Sequence, residues 1–265
     1  MTMLEVSQQG HIVTLTINRP DMRNALGEPG DGQVFFDVIA KINADRNVRC
    51  VILTGAGSAF SAGGNIKAMQ KREGPFEGGA MHVADGYRRG IHQIVKSLWG
   101  LEVPAIAAVN GPAIGLGNDV ACLCDMRIAS EKAIFGATFL KIGLIPGDGG
   151  AWLLPRIIGH ARASELLFTG HTVSAETALD WGLVSQVVSD DKLLETAHDM
   201  ATDISRQSSE SLRAAKRLMR HGQTSGFETV MEMSANAQAL MHVSEDHLEA
   251  VSAMLEKRSA EYQDK

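Results

Sequence analysis

Two glycine-rich segments constrain the fold of this chain more than any other feature. The first, residues 61–66, reads Ser-Ala-Gly-Gly-Asn-Ile, and the second, residues 110–117, reads Asn-Gly-Pro-Ala-Ile-Gly-Leu-Gly. Each follows an apolar, β-branched run typical of a buried strand, and each leads toward a segment typical of a helix. Two turns of this kind can direct backbone N–H groups from separate parts of the chain at one oxygen atom.

Strand-like and helix-like segments alternate through the first 190 residues. Apolar runs predict strands at residues 11–18, 48–54, 104–109 and 126–129. Apolar residues at helical spacing predict helices over residues 33–44 and 87–98, a short buried helix at 120–123 and another from 150 through 154. The polar, glycine-containing residues 69–86 predict a mobile loop or a broken helix. This alternation predicts an α/β fold with a largely parallel sheet.

The chain changes character at about residue 191, where strand signals end and helical spacing continues. The apolar positions of this tail are too regular for a free appendage, and we expect them to pack on another surface, such as that of a second subunit. They are Leu212, Leu218, Met219, Phe227, Val230, Met233 and Leu240.

Charge and cysteine content exclude several classes of protein. The net charge is −6 and aromatic residues make up 5% of the 265 residues, so a nucleic acid is not the expected partner. Three cysteines, Cys50, Cys122 and Cys124, make no disulfide framework and no paired metal ligands, which favours a reducing cytoplasm. No signal peptide and no apolar run of the ~20 residues needed for a membrane span are expected.

Five blocks of sequence, in order, resemble the crotonase (enoyl-CoA hydratase/isomerase) superfamily. The blocks are Asn18–Pro20 with Arg23–Leu26; Phe60–Met69; Val109–Ser130; Phe135–Gly136 with Gly143–Gly147; and Thr169–Ala175 with Ala178 and Trp181–Val184. One glycine motif alone would be a weak signal, whereas five blocks in family order cover nearly the whole chain.

The resemblance implies a fold, an assembly and a substrate class. The fold is the crotonase (ClpP-like) spiral of β-β-α units, with an acyl-CoA site in a core over residues 1–190 and a helical trimerisation region over 191–265. The assembly is a homotrimer or a hexamer made of two trimers. The substrate is an acyl-CoA thioester, so coenzyme A arrives as part of the substrate, and no metal, redox cofactor, nucleic acid or membrane is expected.

By the same resemblance, the two glycine-rich segments form an oxyanion hole for the thioester carbonyl. The donors would be the backbone N–H groups of Ala62 and Leu116, and Leu116 departs from the glycine usual in the family. Two such donors stabilise an enolate by roughly 3 kcal/mol each. Residues expected to contact the substrate or its CoA are Arg23, Ala25, Gly63, Gly64, Asn65, Ile66, Lys67, Gly115 and Phe139.

The acids depart most from the family pattern. The first glutamate of the family's hydratases falls on Asp119, which either transfers protons or simply complements the dipole of its helix. The second falls on Phe139, which cannot transfer protons and would instead shape the acyl pocket. Asp148 stands one position after the aspartate that some family isomerases use, so it is either catalytic or the N-cap of the following helix.

Several charged and histidine side chains keep two interpretations. Arg213, Lys216, Arg217 and Arg220 share one helical face and either neutralise CoA phosphates or form a solvated basic face. His82 and His92 flank the segment 69–86 and are either acyl-pocket residues or ordinary surface histidines.

The expected function is therefore that of an acyl-CoA enzyme of the enoyl-CoA hydratase/isomerase type. Hydration and isomerisation both remain open, since Phe139 favours isomerisation and the family's usual label favours hydration. A thioester hydrolase or decarboxylase, and a non-catalytic acyl-CoA- or RNA-binding relative, are the alternatives. The chain has no G-x-S-x-G motif, which disfavours a nucleophilic serine hydrolase.

Overall fold

The computed structural model describes residues 2–263, and in that range the chain forms two β-sheets surrounded by helices. The strands are β1 (Leu4–Gln9), β2 (Ile12–Ile17), β3 (Cys50–Gly55), β4 (Ala105–Val109), β5 (Ala113–Ile114), β6 (Met126–Ser130), β7 (Ile134–Gly136), β8 (Thr172–Ser174) and β9 (Gln186–Val188). The large sheet has the order β1-β2-β3-β4-β6-β9, and the small sheet has the order β5-β7-β8.

All neighbouring strands of the large sheet are parallel except β1 and β2, which pair antiparallel. The sequence prediction of an α/β fold with a largely parallel sheet is confirmed. β3 and β4 are buried along their whole length, because helices cover both faces of the sheet. Burial on both faces explains why these strands read as continuous apolar runs.

Helices follow most of the strands. They are α1 (Asp31–Ala44), α2 (Ile66–Lys71), α3 (Ala80–Arg89), α4 (Ile91–Trp99), α5 (Leu116–Leu123), α6 (Gly150–Thr169), α7 (Ala175–Asp180), α8 (Leu193–Ser205), α9 (Ser209–Gly222), α10 (Phe227–His242) and α11 (Glu245–Glu256). The helix predicted over 87–98 is two helices, because the chain breaks at Gly90. Of the two alternatives predicted for residues 69–86, the broken helix is confirmed. The segment contains the end of α2, a short turn and the first part of α3.

The helices of the predicted C-terminal region, 191–265, differ in how far they are buried, over the residues that the structure describes. Its first helix, α8, packs Leu193, Ala197 and Ala201 against the large sheet and so closes the second face of the core. By contrast, α10 has no buried residue. Residues 264–265 lie outside the described part of the chain, and the domain boundary itself stays a prediction.

Across residues 2–263, no helix has both the length and the apolar character that crossing a bilayer requires.

Three basic side chains of α9 attach this helix to the core. Arg213 donates to the backbone oxygens of Asn43 and Asp45, at the end of α1, and pairs with Glu102 at 2.8 Å. Carbonyl groups at a helix C-terminus lack intrahelical partners and carry partial negative charge, so a cation is stabilised there.

Lys216 and Arg220, on the same face of α9, also bind backbone oxygens of the core. Lys216 donates to the Val103 oxygen at 2.6 Å and pairs with Asp125 at 2.7 Å. Arg220 donates to the backbone oxygens of Trp99 and Leu101, where α4 ends. The solvated-face interpretation is therefore wrong for Arg213, Lys216 and Arg220, and of the four basic residues only Arg217 is exposed to solvent. Neutralisation of CoA phosphates by this face stays a prediction.

We predict that Lys216→Met lowers the free energy of unfolding by about 3 kcal/mol, because it leaves the Asp125 carboxylate and the Val103 carbonyl without their buried partner. Urea denaturation followed by circular dichroism measures the effect. The matched control is Arg217→Met on the exposed side of the same helix, with an expected change within ~0.5 kcal/mol. Equal losses in the two variants would contradict the docking role of Lys216.

Candidate active site

The two glycine-rich segments are joined directly by their backbones. Ser61 donates its N–H to Pro112 at 3.1 Å, and Ile114 donates its N–H to Ser61 at 3.0 Å. A side chain on Gly63 would collide with the Ile114 oxygen, and one on Gly117 would collide with the Ser61 oxygen. These two glycines are therefore required by the close approach of the two turns.

One of the two predicted oxyanion donors is already occupied. The Ala62 N–H donates to the backbone oxygen of Arg23 at 2.9 Å. An amide that holds a neighbouring turn in place is not available to a substrate oxygen. The assignment of Ala62 as a donor is therefore wrong for this geometry.

The amides of Gly64 and Leu116 are better placed for this role. Neither N–H donates to a partner among the hydrogen bonds formed within residues 2–263, and both residues line the same cavity. Leu116 is the first residue of α5, where an N–H lacks an intrahelical partner and the helix dipole adds positive potential. Its side chain, 1% exposed, is accommodated in the main hydrophobic core.

The sequence analysis treated Gly64 only as a substrate-contacting residue. A run of Ala-Gly-Gly offers three successive amides, and nothing in the sequence shows which of them is used by the fold itself. The structure separates them, because Ala62 donates its N–H to Arg23 and Gly63 donates its N–H to the Ser61 hydroxyl at 3.2 Å, which leaves the Gly64 amide.

The cavity beside these amides is narrow and mostly apolar, with a volume of about 60 Å³. Phe139 lines it, together with aliphatic residues of the segments around α2, α4 and β5. The polar side chains on its wall are Tyr87, Thr138 and Asp148. Asp148 is thus the one carboxyl group that lines the cavity within the described residues.

Asp148 is buried, with 4% of its surface exposed, and its Oδ1 has no hydrogen-bond partner within residues 2–263. Burial raises its pKa to about 6, and the nearby His92 opposes this effect. The N-cap interpretation is wrong, since the N-cap of α6 is Gly149 and no side chain caps that helix. An unpaired carboxyl group on the wall of an apolar cavity is suited to proton transfer.

Asp119 occupies a different position. It is fully buried and does not line the cavity. Its Oδ2 accepts the Gly150 N–H at 2.9 Å, and its Oδ1 accepts the Asn118 side-chain N–H at 3.3 Å. Burial, and then the charge of Asp148, raise its pKa to about 7. Asp119 therefore holds the first turn of α6, and with it the segment that carries Asp148.

Tyr87 lines this side of the cavity, and His92 contacts Tyr87 without lining the cavity itself. His92 donates its Nε2–H to the Gly147 oxygen at 2.9 Å, because a carbonyl can only accept. The His92 and Tyr87 rings meet edge to face, with centroids 5.9 Å apart. His92 and Gly147 are 55 residues apart in the sequence, so local sequence patterns could not predict their contact.

The other residues predicted to contact CoA lie near the first turn. Asn65 caps α2 by accepting the Ala68 N–H and also donates to Glu28 at 2.8 Å. Ala25 is buried, whereas Arg23, Ile66 and Lys67 are exposed. His82 is exposed and does not line the cavity. Within residues 2–263, no group of three or more His, Cys, Asp or Glu side chains could hold a metal ion.

Comparisons of the sequence and of the structure with known proteins point to the same family. The sequence model of the enoyl-CoA hydratase/isomerase family matches residues 7–265. The 1,2-epoxyphenylacetyl-CoA isomerase of Escherichia coli K12 is 36% identical over 95% of this chain and 94% of its own length. The short-chain-enoyl-CoA hydratase of Clostridium acetobutylicum is 35% identical over 97% of this chain and 95% of its own. The crystal structure of an enoyl-CoA hydratase from Bacillus anthracis superposes with a TM-score of 0.93, 33% identity and complete coverage of both chains.

The raised pKa of Asp119 predicts how stability depends on pH. Because the folded chain binds the Asp119 proton more tightly than the unfolded chain, the contribution of Asp119 to stability falls as pH rises between about 4 and 7. Asp119→Asn cannot ionise, and its oxygen can still accept the Gly150 N–H. We expect the variant to gain stability relative to wild type from pH 4 to pH 7, by up to ~1.4 kcal/mol per pH unit, and to gain no more above pH 7.

Urea denaturation of both proteins at several pH values tests this expectation. A wild-type-minus-variant difference that stays constant with pH would show that Asp119 is ionised throughout the range.

Proposed function

Because this chain belongs to the enoyl-CoA hydratase/isomerase family and is an acyl-CoA enzyme of that type, we propose that it shifts the double bond of an enoyl-CoA thioester. Asp148 transfers the proton, and the backbone N–H groups of Gly64 and Leu116 bind the thioester oxygen. The observation that carries this proposal is the unpaired Asp148 carboxyl group on the wall of the cavity that both amides also line.

The reaction uses one carboxylate twice. The ionised Asp148 removes a proton from C2 of a 3-enoyl-CoA, and the electron pair moves onto the thioester oxygen. The amides of Gly64 and Leu116 donate to that oxyanion and stabilise it by roughly 3 kcal/mol each. Asp148 then returns its proton at C4, while the double bond forms between C2 and C3 and the oxygen gives back its electron pair. Neither water nor a cofactor takes part in this proposed reaction.

Phe139 and Asp119 favour isomerisation over hydration. Addition of water normally needs one group to activate the water and another to protonate C2. Phe139 fills a place on the cavity wall with an apolar ring, and Asp119 lies outside that wall with both oxygens engaged. A single carboxyl group in a mostly apolar cavity is sufficient to move a proton between two carbons.

The narrowness of the cavity implies that substrate binding moves part of its wall. A volume of about 60 Å³ has room for a few atoms only. Met69 of α2 reaches over Gly64, and its methyl group would lie 2.7 Å from a side chain added there. Movement of the Met69 side chain gives a thioester carbonyl access to the Gly64 amide.

We predict that Asp148→Asn lowers turnover of a 3-enoyl-CoA by at least ~100-fold, because the variant has no base. Binding of the saturated thioester should stay within a few-fold. In the wild type, kcat/KM should rise with pH through about 6, where Asp148 loses its proton. Mass spectrometry and absorbance monitor the conversion to the 2-enoyl product, and they measure both the turnover and its pH dependence.

Asp119→Asn is the matched control. It should retain turnover within about 10-fold and keep the rising limb near pH 6, since it preserves the bond to Gly150. Loss of that limb in Asp119→Asn, with its retention in Asp148→Asn, would reverse the two roles. Hydration of crotonyl-CoA that matched or exceeded isomerisation would make the enzyme a hydratase.

The exposed apolar surface of the last two helices supports a homotrimer or a hexamer. Phe227 and Leu240 of α10 are 74% and 66% exposed, and Met254 and Leu255 of α11 are 80% and 79% exposed. Exposed apolar side chains clustered on adjacent helices are typical of association surfaces. We assign this role to the helical region of residues 191–265, outside the α8 contact with the core.

We predict that light scattering at micromolar concentration gives the mass of a trimer or hexamer of the 28.4 kDa chain. Leu240→Glu should shift the distribution toward monomer, because it places a charge in the proposed interface. Lys257→Glu, at the end of α11, is the control and should leave the mass unchanged. A wild type that is monomeric under these conditions would refute the assembly.

A further inference from the structure

One peptide group carries a proposed oxyanion donor on one side and a structural hydrogen bond on the other. It joins Gly63 to Gly64 in the trans form, and its nitrogen is the Gly64 amide. Its carbonyl oxygen, on Gly63, accepts the Leu26 N–H at 2.9 Å. Because a trans peptide group is planar, its C=O and N–H point in opposite directions. The bond from Leu26 therefore directs the Gly64 N–H away from residue 26, and Gly64 lines the cavity.

The same bond strengthens the donor. A peptide group whose carbonyl accepts a hydrogen bond is polarised, and its N–H becomes a better donor, by roughly 10–30% per bond. The other proposed donor has the same arrangement, since the Gly115 oxygen, in the peptide group that ends at the Leu116 nitrogen, accepts the Asp119 N–H at 3.1 Å. Helix α5 supplies that partner, whereas the Gly64 amide depends on a residue that is distant in the sequence.

Leu26 belongs to a turn, residues 19–26, that one buried side chain closes. Asn24 is 0% exposed and has a φ of +57°, a left-handed conformation that asparagine tolerates better than most residues. Its backbone N–H donates to the Arg19 oxygen, and its Oδ1 accepts the Arg19 N–H, both at 2.9 Å. Asn24 therefore fixes the shape of the turn that carries Leu26.

The rest of Asn24 attaches this turn to the first glycine-rich segment. Its Nδ2 donates to the oxygens of Ala56 and Ala59, at 2.8 Å and 2.7 Å. Its carbonyl oxygen accepts the Ser61 hydroxyl at 2.7 Å. Both hydrogens of Nδ2 and the Oδ1 oxygen are thus used, which no other side chain of this size can reproduce. The bonds to Ala59 and Ser61 hold the chain on both sides of residue 60.

We propose that Asn24 is a positioning residue for the reaction, because it places Leu26 where the Leu26 N–H orients the peptide group between Gly63 and Gly64. This inference rests on the proposed function, since it takes the Gly64 amide as an oxyanion donor. Asn24 does not line the cavity, so its effect passes through Leu26. Loss of the Asn24 side chain should then weaken the polarisation of a bound thioester as well as the stability of the fold.

The stretching frequency of the thioester carbonyl measures this polarisation without turnover. Infrared difference spectroscopy compares free and bound butanoyl-CoA with an isotope-labelled carbonyl, a saturated thioester that has no double bond to move. Hydrogen bonds to the carbonyl oxygen lower its frequency on binding. We expect a smaller decrease in Asn24→Gly than in wild type, because glycine keeps the positive φ and removes every side-chain bond.

Kinetics give a second measurement that a purely structural role would not change. Removal of an oxyanion donor lowers kcat by about 100- to 1,000-fold, and a displaced donor should cost less. We expect Asn24→Gly to lower kcat for a 3-enoyl-CoA by at least ~10-fold and to change KM by less than ~3-fold, since the donor acts mainly on the charge of the transition state. The rising limb near pH 6 should remain, because Asp148 is unchanged.

Ser61→Ala is a milder variant that tests the same connection. It removes the hydroxyl bond to Asn24 and leaves the backbone bonds of Ser61 in place. We expect a decrease in carbonyl frequency that is smaller than in wild type and larger than in Asn24→Gly. This variant decides the question if Asn24→Gly does not fold.

Asn43→Ala is the matched control. The Asn43 side chain also bridges two segments, since it donates to the Gly100 oxygen at 2.9 Å and accepts the Glu102 N–H at 3.0 Å. It lies at the end of α1 and does not line the acyl cavity. Asn43→Ala should lower stability in urea denaturation and leave the carbonyl frequency of the bound thioester unchanged.

Two outcomes would overturn the proposal. A carbonyl frequency that stays at the wild-type value in Ser61→Ala, and in Asn24→Gly where it folds, would show that Asn24 only stabilises the fold. An equal change in Asn43→Ala would show that the frequency responds to any loss of stability.

The proposed function fails separately from this inference. A wild type that lowers the carbonyl frequency and isomerises a 3-enoyl-CoA, with no effect of the Asn24 and Ser61 variants on that frequency, loses only the inference. A wild type that binds butanoyl-CoA without lowering its carbonyl frequency has no oxyanion hole at Gly64 and Leu116, and loses both.

Discussion

Two backbone hydrogen bonds between Ser61 and the turn at residues 110–117 determine the rest of the site. They hold the first glycine-rich turn against the start of α5, which fixes Gly64 beside Leu116. One helical turn after Leu116, Asp119 accepts the N–H of Gly150 and so fixes the start of α6. Asp148 lies two residues before Gly150. The amides and the carboxyl group are therefore placed by one continuous set of hydrogen bonds, two between backbone groups and one from the Gly150 N–H to the Asp119 side chain.

Asp119 and Asp148 carry the same side chain, but their surroundings suit them to different roles. Burial raises the pKa of both, to about 7 for Asp119 and about 6 for Asp148. Both oxygens of Asp119 accept hydrogen bonds within the protein, whereas Asp148 lines the cavity and its Oδ1 has no hydrogen-bond partner within residues 2–263. Since Asp148 ionises first, its charge favours the protonated form of Asp119. At neutral pH the pair can then carry one negative charge, on the group that lines the cavity.

The sequence predicted the family and the α/β fold because these depend on local patterns, and the family match and the topology confirm both. It also placed Phe139, Leu116 and Asp148 among the candidates for the site. It could not choose between the Ala62 and Gly64 amides, or between the roles of Asp119 and Asp148. Each choice depends on one long-range hydrogen bond, from Ala62 to Arg23 and from Gly150 to Asp119. For the same reason, three basic residues of α9 that resemble a solvated face are attached to the core.

Helix α4 connects the catalytic and helical parts of the molecule, and this connection has an electrostatic origin. Near its start, His92 binds Gly147, the residue before Asp148. At its end, Arg220 of α9 binds the backbone oxygens of Trp99 and Leu101, where the helix dipole is negative. A shift of α9 would therefore act on α4, and through His92 on the segment that carries Asp148. Because the proposed subunit contacts involve the helices that follow α9, α9 and α4 connect the proposed assembly surface to the segment that carries Asp148.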